Sequence, residues 1–417
     1  MRAWHFFKYY LHDLRKQKKR AGLTILALVW GTFSILMLLA FGEGITKQLD
    51  KARLGLGENI MIVWGGQTSV TFQGLPRGRK IWMRPDDDKL LERMIPEIKH
   101  AGGEYHRWGV DLIRGQTILS QHVTGIPPSF EEMRTHYPSA GGRMINDVDV
   151  EKRRRVVFLG YELKNKLFGE EDPVGRRIDI SGIPFTVIGC GQDKMQMGMY
   201  GGPDVDLAAI PVTTFKAIFG DQYFDNMVIQ VHDINQSEYV KRRVYEILGA
   251  KYKFSPDDED ALGIWDTVEG MKEFNAMMFG IQIFLGIVGG MTLLIAGVGV
   301  ANIMYVVVRE RTREIGIKMA TGAKRRHIMN QFILEALLVC FTGGAIGVVI
   351  SALTCYLLGL IPVGTGNNPM NWLGRPTIST TIGVIVATIL AAIGIFSGLF
   401  PARKAATINP VESLRYE

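Results

Sequence analysis

The residue types that usually carry catalysis or metal binding are dispersed along this 417-residue chain. The sequence has no Gly-x-x-x-x-Gly-Lys-Ser/Thr segment that would hold nucleotide phosphates in a P-loop. It has neither His-Glu-x-x-His nor Cys-x-x-Cys, and its eight histidines are scattered along the sequence. We therefore expect no catalytic residue, no cofactor and no metal centre in this chain, and we do not expect an enzyme.

Alternating methionines at Met195, Met197 and Met199 form a soft-ligand pattern. On a strand they would share one face, and thioethers suit Cu(I). Apart from Cys190, no histidine or cysteine lies nearby in the sequence. Methionine also makes adaptable apolar contacts. Packing or substrate contact is therefore the favoured interpretation, and copper binding is the alternative.

Apolar residues are gathered into four long blocks. They make up 47% of the chain, and about 20 apolar residues in a helix cross the roughly 30 Å hydrocarbon core of a bilayer. The predicted spans are residues 21–43, 274–308, 328–361 and 377–400. Residues 44–273 predict a large mixed α/β domain on the extracytoplasmic side, for which two lobes are expected. The predicted fold class is thus an integral membrane protein with four transmembrane helices and one inserted α/β domain.

Local patterns predict elements of this domain. β-Branched and aromatic runs favour strands, and polar-apolar periodicity favours helices. Ser181-Gly182 predicts the turn of a hairpin over residues 177–188. A strand-helix-strand sequence near the end indicates a split βαβ motif. The predicted strands are 59–64, 185–190, 225–231 and 251–254, and the predicted helices are 87–100 and 237–248.

Positive charge is concentrated beside the spans. Residues 1–20 hold seven Lys/Arg against one acid, and residues 309–327 hold seven against two. The positive-inside rule therefore places both termini, including residues 401–417, and the 309–327 loop in the cytoplasm. Residues 362–376 become an outer loop. A pI near 9.2 then reflects contact with the lipid bilayer and not with nucleic acid.

The first twenty residues predict a cytoplasmic amphipathic helix. Trp4, Phe7, Leu11 and Leu14 fall on one helical face, and basic residues lie elsewhere. Such a helix lies in the headgroup layer. A simple basic flank is the alternative.

The second span is longer than a bilayer requires. Its 35 uncharged residues would reach roughly 50 Å as a helix, so the excess predicts a stalk that joins the outer domain. A tilted helix with an apolar linker is the alternative. Glycines four apart predict close helix packing, within the chain or with a second copy. These pairs are Gly286/Gly290, Gly343/Gly347 and Gly394/Gly398.

The loop at 309–327 has too many charges to enter the membrane and too few residues for a domain. Glu314, Ile315, Lys318 and Met319 would give a short helix a mixed face, with Gly322 as its stop. Such a helix suits docking to a cytoplasmic partner; a solvated connector is the alternative. Glu335, the one acid within a span, is either functional or interfacial.

Several segments are similar to the MacB/FtsX permease superfamily. The loop carries Ala-Asn-Ile-Met at 301–304, Arg-Glu-Arg-Thr-Arg-Glu-Ile-Gly-Ile at 309–317 and Ala-Thr-Gly-Ala at 320–323. The tail carries Pro-Ala-Arg-Lys-Ala-Ala at 401–406 and Asn-Pro-Val-Glu-Ser-Leu-Arg-Tyr-Glu at 409–417. Leu-Gly at 159–160, Leu-Phe-Gly at 167–169, Asp-Pro-Val-Gly at 172–175 and Phe-Thr-Val-Ile-Gly at 185–189 resemble the MacB-type core domain.

The resemblance implies that the loop helix couples to an ABC ATPase. The expected contact residues are Arg311, Arg313, Glu314, Ile315, Gly316, Lys318, Met319 and Gly322. Because the MacB ATPase domain has no counterpart here, a separate ATPase subunit is expected to bind ATP and Mg. A second permease copy, as a homodimer or pseudodimer, is implied, with a periplasmic membrane-fusion protein as a further candidate partner.

The resemblance also implies location in the bacterial inner membrane and mechanotransmission, the ATP-driven motion of the stalk. Export or outer-side relay of an unidentified substrate is the leading interpretation. One alternative is an FtsX-like signalling protein that regulates cell-wall hydrolases. Another is a LolC/LolE-like permease that releases lipoproteins.

Overall fold

The apolar blocks and the β-rich segments of the sequence fold into two units. The computed structural model describes residues 18–196, 198–361 and 374–407. The helical unit contains the described residues up to Gln48 and those from Met277 onwards, and the α/β unit is Leu49–Ala276. Residues 1–17 of the predicted amphipathic helix, Met197, residues 362–373 of the predicted outer loop and residues 408–417 of the predicted tail lie outside the described residues.

The elements are numbered in chain order. The α-helices are α1 (Lys18–Leu56), α2 (Asp87–Met94), α3 (Phe130–Met133), α4 (Asp147–Glu151), α5 (Tyr161–Phe168), α6 (Val212–Phe219), α7 (Ser237–Tyr252), α8 (Thr267–Glu310), α9 (Thr312–Ala320), α10 (Arg325–Gly359) and α11 (Thr380–Ala406). The strands are β1 (Ile60–Gly65), β2 (Ile98–Arg114), β3 (Thr117–Ile126), β4 (Val156–Leu159), β5 (Arg177–Ile180), β6 (Ile183–Cys190), β7 (Ala208–Pro211), β8 (Asn226–Val231) and β9 (Leu262–Asp266).

Among the described residues, four helices, α1, α8, α10 and α11, are long and apolar enough to cross a membrane. The predicted four-helix membrane architecture is therefore confirmed. On the side of the α/β unit, two of these helices extend well beyond the predicted spans, since α1 continues to Leu56 and α8 begins at Thr267. Hydropathy marks the part of a helix that dissolves in lipid, and it does not show how far the helix continues into polar residues. An i,i+4 ion pair of 2.8 Å between Glu43 and Lys47 supports the continuation of α1 past its apolar run.

The helical unit has its own buried core. Leu28 of α1, Leu293 of α8, Phe332 of α10 and Leu390 of α11 are buried in one cluster, and Ile315 of α9 joins them. Lipid is as apolar as these side chains, so close packing must supply the stability of this unit.

One nine-stranded sheet, with strand order β3-β7-β4-β6-β5-β2-β8-β1-β9, runs through the α/β unit. Within the described strands, the β3–β7 and β4–β6 pairs are parallel and the others are antiparallel. The long strand β2 belongs to both halves of the sheet: Ile98–Glu104 pairs with β8, whereas Tyr105–Arg114 pairs mainly with β3. Where two lobes were expected, the sheet is continuous through this strand. Separate apolar clusters lie on its two faces.

Two local predictions for this unit were wrong, and the predicted strands at 59–64, 185–190 and 225–231, the helix at 237–248 and the hairpin are confirmed. The predicted helix 87–100 ends at Met94, because Pro96 holds Ile95 in an extended conformation (φ −130°). Residues 251–254 form no strand, because α7 continues to Tyr252 and β9 is the next strand. The hairpin is confirmed, since β5 and β6 join at Ile180–Ile183 through Ser181 and Gly182, both with positive φ.

Candidate coupling site

The C-terminal end of α1 is held by side chains from the segment after α3. Arg134 Nε donates to the carbonyl oxygen of Leu56 at 2.7 Å, and Thr135 Oγ1 donates to that of Leu54 at 3.0 Å. The last carbonyls of a helix lack partners within the helix, and a cation there also complements the helix dipole. Arg134, only 3% exposed, thus holds the last residues of α1 within the α/β unit.

The buried charge of Arg134 is balanced by Asp204. The Nη2 atom of Arg134 lies 2.8 Å from Asp204 Oδ1, and Lys194 Nζ lies 2.8 Å from Asp204 Oδ2. Burial raises the pKa of the Asp204 carboxyl, but the two cations outweigh burial and hold that pKa well below its usual range. Asp204 is therefore ionised in the folded protein.

Tyr200 and Glu104 extend this cluster to the centre of the sheet. The guanidinium carbon of Arg134 lies 4.5 Å from the Tyr200 ring centroid, and the Tyr200 hydroxyl donates to Glu104 Oε2 at 3.0 Å. Asn226 of β8 donates to the same oxygen at 3.0 Å. Burial raises the pKa of Glu104, yet the His106 ring and the Arg134 guanidinium lower it to about 2. A hydrogen-bonded path thus runs from β8 to the end of α1.

Three histidines border the cluster. His106 Nδ1 and His122 Nε2 are 2.9 Å apart, so the two rings share a hydrogen bond. Burial and the neighbouring His106 lower the pKa of His122 to about 4. Burial and the Lys194 ammonium lower the pKa of His136 to about 3. Burial also opposes protonation of His106, but Glu104 outweighs it and the pKa of His106 is raised. The cluster therefore holds two neutral imidazoles near neutral pH.

The second long helix, α8, is fixed where it begins. Thr267 Oγ1 donates to the Ile60 carbonyl oxygen at 2.6 Å. The Ser237 hydroxyl donates to the Asp266 carboxylate, which also accepts from the Glu269 backbone N–H at 3.4 Å. The Asp266 side chain thus caps the first turn of α8. Strand β1 and helix α7 hold this helix end through side-chain hydrogen bonds.

The predicted methionine segment lies against both helix ends. A Cβ on Gly55 of α1 would lie 1.8 Å from the Met195 carbonyl oxygen, so only glycine permits this approach. Gly198, at φ +85°, lies against the Trp265 ring just before α8. Met199 is exposed. This placement favours packing and contact over metal binding.

The short helix α9 divides the predicted coupling residues between two faces. The sequence predicts one exposed face that contains both Glu314 and Ile315. In the structure Ile315 and Gly316 are buried in the helical unit, so that face does not form. Successive residues on a helix point about 100° apart. The exposed residues are Arg313, Glu314, Ile317 and Lys318, and the half-buried ones are Arg311 and Met319. Gly322, at φ +97°, follows the end of α9.

An ion pair connects the start of α9 to α10. Arg311 Nη1 lies 3.1 Å from Glu335 Oε1. Gln331 Nε2 donates to the same oxygen at 3.2 Å, and Lys318 Nζ donates to Gln331 Oε1 at 3.3 Å. The acid within the third span is therefore a protein-facing partner of the loop.

The predicted packing glycines fall into two groups. Gly343 and Gly347 of α10 lie against α1, and Gly394 and Gly398 of α11 lie against α10; an added Cβ would lie 2.7 or 2.8 Å from a neighbouring side-chain atom at each of these four positions. Gly286 and Gly290 have no such neighbour within 4 Å in the described residues. Gly289 instead allows α8 to contact Ile35.

The sequence did not reveal the cluster around Arg134. Arg134 and Asp204 are 70 positions apart, and no local motif connects them. Charged residues of this kind usually lie on the surface, and only the fold shows that these are buried together.

Four membrane helices, an α/β domain inserted between the first two and a short helix between the second and third define a multi-pass membrane protein of the permease type. Residues 21–247, more than half of the chain, match the MacB-like periplasmic core domain. Residues 286–410 match the FtsX-like permease C-terminal domain. The chain belongs to the MacB/FtsX family of permeases.

Individual relatives agree with this family. The chain is 29% identical over 406 residues to the macrolide export ATP-binding/permease protein MacB of Bdellovibrio bacteriovorus, covering 97% of this chain and 60% of the relative. It is 30% identical to the protein of the same name from Chlorobium luteolum, covering 96% and 58% respectively. The chain thus spans about three fifths of the length of these relatives.

The periplasmic region of MacB from Actinobacillus actinomycetemcomitans is a structural neighbour. It has 20% sequence identity and a TM-score of 0.43, covering 55% of this chain and 98% of that one.

Proposed function

We propose that this chain is the permease of an ABC transporter that relays ATP-driven motion from α9, along α8, to the α/β unit. In this proposal both termini and α9 are cytoplasmic, the α/β unit is extracytoplasmic, and the membrane is a bacterial inner membrane. The basic residues that flank the spans support this orientation.

The continuity of α8 is the observation that carries the proposal. Its 44 residues form one helix, which at 1.5 Å per residue is about 66 Å long, roughly twice the thickness of the hydrocarbon core. Its first residues are fixed by Asp266 and Thr267, and its last residue, Glu310, is followed almost directly by α9. A movement of α9 can therefore travel along a helix without substrate passing between the spans.

The partners follow from the exposed surfaces. The exposed face of α9 is proposed to dock on an ABC ATPase that supplies the bound ATP and Mg. A second permease copy is proposed to pack on α8, where Gly286 and Gly290 have open space and large apolar side chains are exposed. These side chains include Phe284, Ile287, Met291, Leu294 and Ile295. A periplasmic membrane-fusion protein is a further proposed partner of the α/β unit.

The names of the relatives guide the choice of substrate. Both relatives described above are named for macrolide export. A macrolide is therefore the first substrate to test, with export or outer-side relay as the proposed outcome.

The docking proposal is tested on the exposed face of α9. The double variant Glu314→Lys, Ile317→Asp is expected to reduce ATPase co-purification about tenfold, because charge reversal and an unpaired carboxylate would enter the interface. Arg326→Glu, an exposed charge reversal beyond α9, is the control. Membrane insertion should be equal in all forms. Parental ATPase recovery with the double variant would overturn the proposed docking face.

A further inference from the structure

A cleft of ≈ 700 Å³ opens beside β2 in the α/β unit. One side is formed by α2, the other by α4, α6 and the residue Arg153, and Pro127–Pro128 after β3 completes it. This volume is within the range of roughly 300–1,000 Å³ that is typical of small-molecule sites. No residue that lines the cleft belongs to the end of α1 or the start of α8.

Two buried aromatic residues, Tyr105 and Phe224, lie at the base of the cleft. The rings of Tyr105 and Phe224 have centroids 5.1 Å apart, and both residues line the cleft. Gly103 makes this arrangement possible, since a Cβ there would lie 2.1 Å from the Phe224 ring. The Tyr105 hydroxyl is buried and has no hydrogen-bond partner among the described residues. Tyr105 is 1% and Phe224 is 7% exposed, so these side chains shape the base of the cleft, and the half-buried Pro127 and Pro128 of its lining are left for apolar contact with a ligand.

The two sides of the rim carry opposite surplus charge. The α2 side carries three carboxylates and one ammonium group, and the other side carries two cations and one carboxylate. The first group is Asp86, Asp88, Glu92 and Lys89, and the second is Arg153, Lys216 and Asp147. In the described part of the chain Asp88, Arg153 and Lys216 form no ion pair. Burial raises the pKa of Asp88, so a nearby cation would stabilise its ionised form.

We propose that this cleft binds a small dipolar ligand. Its cationic group lies beside the α2 carboxylates, its anionic group beside Arg153 and Lys216, and its apolar body beside Pro127 and Pro128. A ligand with charges at both ends matches the rim better than a singly charged one, because each side then gains an opposite charge. The site goes beyond the proposed relay function and does not depend on it.

The zwitterionic tripeptide phenylalanyl-glycyl-phenylalanine is a suitable probe, and calorimetry on the purified full chain in detergent measures its affinity. Its N-acetyl form lacks the cation, and its C-terminal amide lacks the anion. Each blocked form is expected to bind about tenfold more weakly than the tripeptide, because it lacks one charged hydrogen bond. No binding of the tripeptide at millimolar concentration, or equal binding of all three forms, would overturn the proposal.

Two variants assign the charges to the two sides. Asp88→Asn should weaken binding of the tripeptide about tenfold yet leave binding of the N-acetyl form unchanged, because that form has already lost the interaction. Lys216→Gln should likewise weaken binding of the tripeptide and leave binding of the C-terminal amide unchanged. Glu238→Gln on α7, exposed and outside the cleft lining, is the control. Affinities of both cleft variants equal to that of the control would overturn the assignment. Since no ATPase is present, neither result bears on the relay.

Discussion

The helical unit and the α/β unit hold the same two helices, α1 and α8, by different physical means. In the helical unit α1 lies against α8 and α10 through small residues, such as Gly289 against Ile35 and Gly347 against Thr32. In the α/β unit the end of α1 and the start of α8 are fixed by buried hydrogen bonds and ion pairs, from Arg134 and Asp266. Van der Waals contacts are shallow and non-directional, whereas charged hydrogen bonds require one geometry.

The difference indicates where movement can occur. Glycine-lined helix surfaces can shift by small amounts without leaving a charge unpaired. A shift of the α/β anchors would separate Arg134 from Asp204. Each charge would then be buried without its partner, which is strongly destabilising. Under the proposed relay we therefore expect contacts within the helical unit to rearrange, while the anchors within the α/β unit keep their partners.

Removing the anchor that Arg134 provides for the end of α1 is expected to cause the largest loss of stability. Arg134→Met keeps the apolar stem but leaves Asp204 without its main cation and the Leu56 carbonyl without its donor. Breaking one partner of a buried pair costs about 3–5 kcal/mol. Denaturant unfolding followed by hydrogen exchange should locate the loss in the α/β unit. Arg242→Met, which removes an exposed arginine of α7, should change stability by no more than about 0.5 kcal/mol. Similar losses in both variants would show that the anchor is not stabilising.

Overpacking tests the glycine contacts of the helical unit. Gly398→Leu on α11 would force its side chain against Ala336 Cβ and Ile333 Cα, at 2.8 and 3.2 Å from the added Cβ. The expected loss of stability is about 1–3 kcal/mol. Gly286→Leu has open space in the described chain and should leave the stability of the monomer unchanged. Thermal unfolding in detergent measures both, and light scattering shows whether Gly286→Leu weakens a dimer. Equal destabilisation by the two variants would contradict the assigned packing.

A smaller effect is expected from pH. The neutral His122 and His136 have folded-state pKa values of about 4 and 3, below the ordinary 6.5, so the unfolded chain binds protons first. Stability is therefore lost as pH falls from about 6.5 towards 4. Glu104, with a pKa of about 2, adds a loss below about pH 4.5.

His106 acts in the opposite direction. Its raised pKa contributes stability that is fully present below about pH 6.5 and is lost as pH rises through that raised value, so it offsets part of the histidine effect. Arg134, Lys194 and Asp204 face the same cluster and stay charged over this range. Denaturant unfolding of the α/β unit at pH 6.5 and 4.5 should give lower stability at pH 4.5. Equal or higher stability at pH 4.5 would contradict the assignment of neutral buried histidines.

The sequence predicts the helical unit better than the anchors of the α/β unit. Four apolar blocks predict four membrane helices, because the bilayer imposes one length and one polarity. The Ser181-Gly182 turn is also local, since its geometry depends on two residues. The Arg134–Asp204 pair depends on tertiary structure, as does the burial of Ile315, because an amphipathic pattern on α9 does not tell which face meets the other helices. The end of α7 at Tyr252 was missed for the same reason.

Proline in α8 tests the central claim, that this helix transmits motion from α9 to the α/β unit. Gln282→Pro would remove a backbone hydrogen bond and kink the helix, at a cost of about 3 kcal/mol or more. Gln282→Ala is the control, because it removes the 3.2 Å hydrogen bond from the Gln282 side chain to Thr46 Oγ1 without a kink. Both variants should retain the ATPase.

Hydrogen exchange of the membrane-embedded complex, with and without ATP, is the direct measurement. The parent and Gln282→Ala should show an ATP-dependent change at the end of α1 and the start of α8, and Gln282→Pro should show none. An ATP-dependent change in Gln282→Pro equal to that of the parent would contradict transmission through α8.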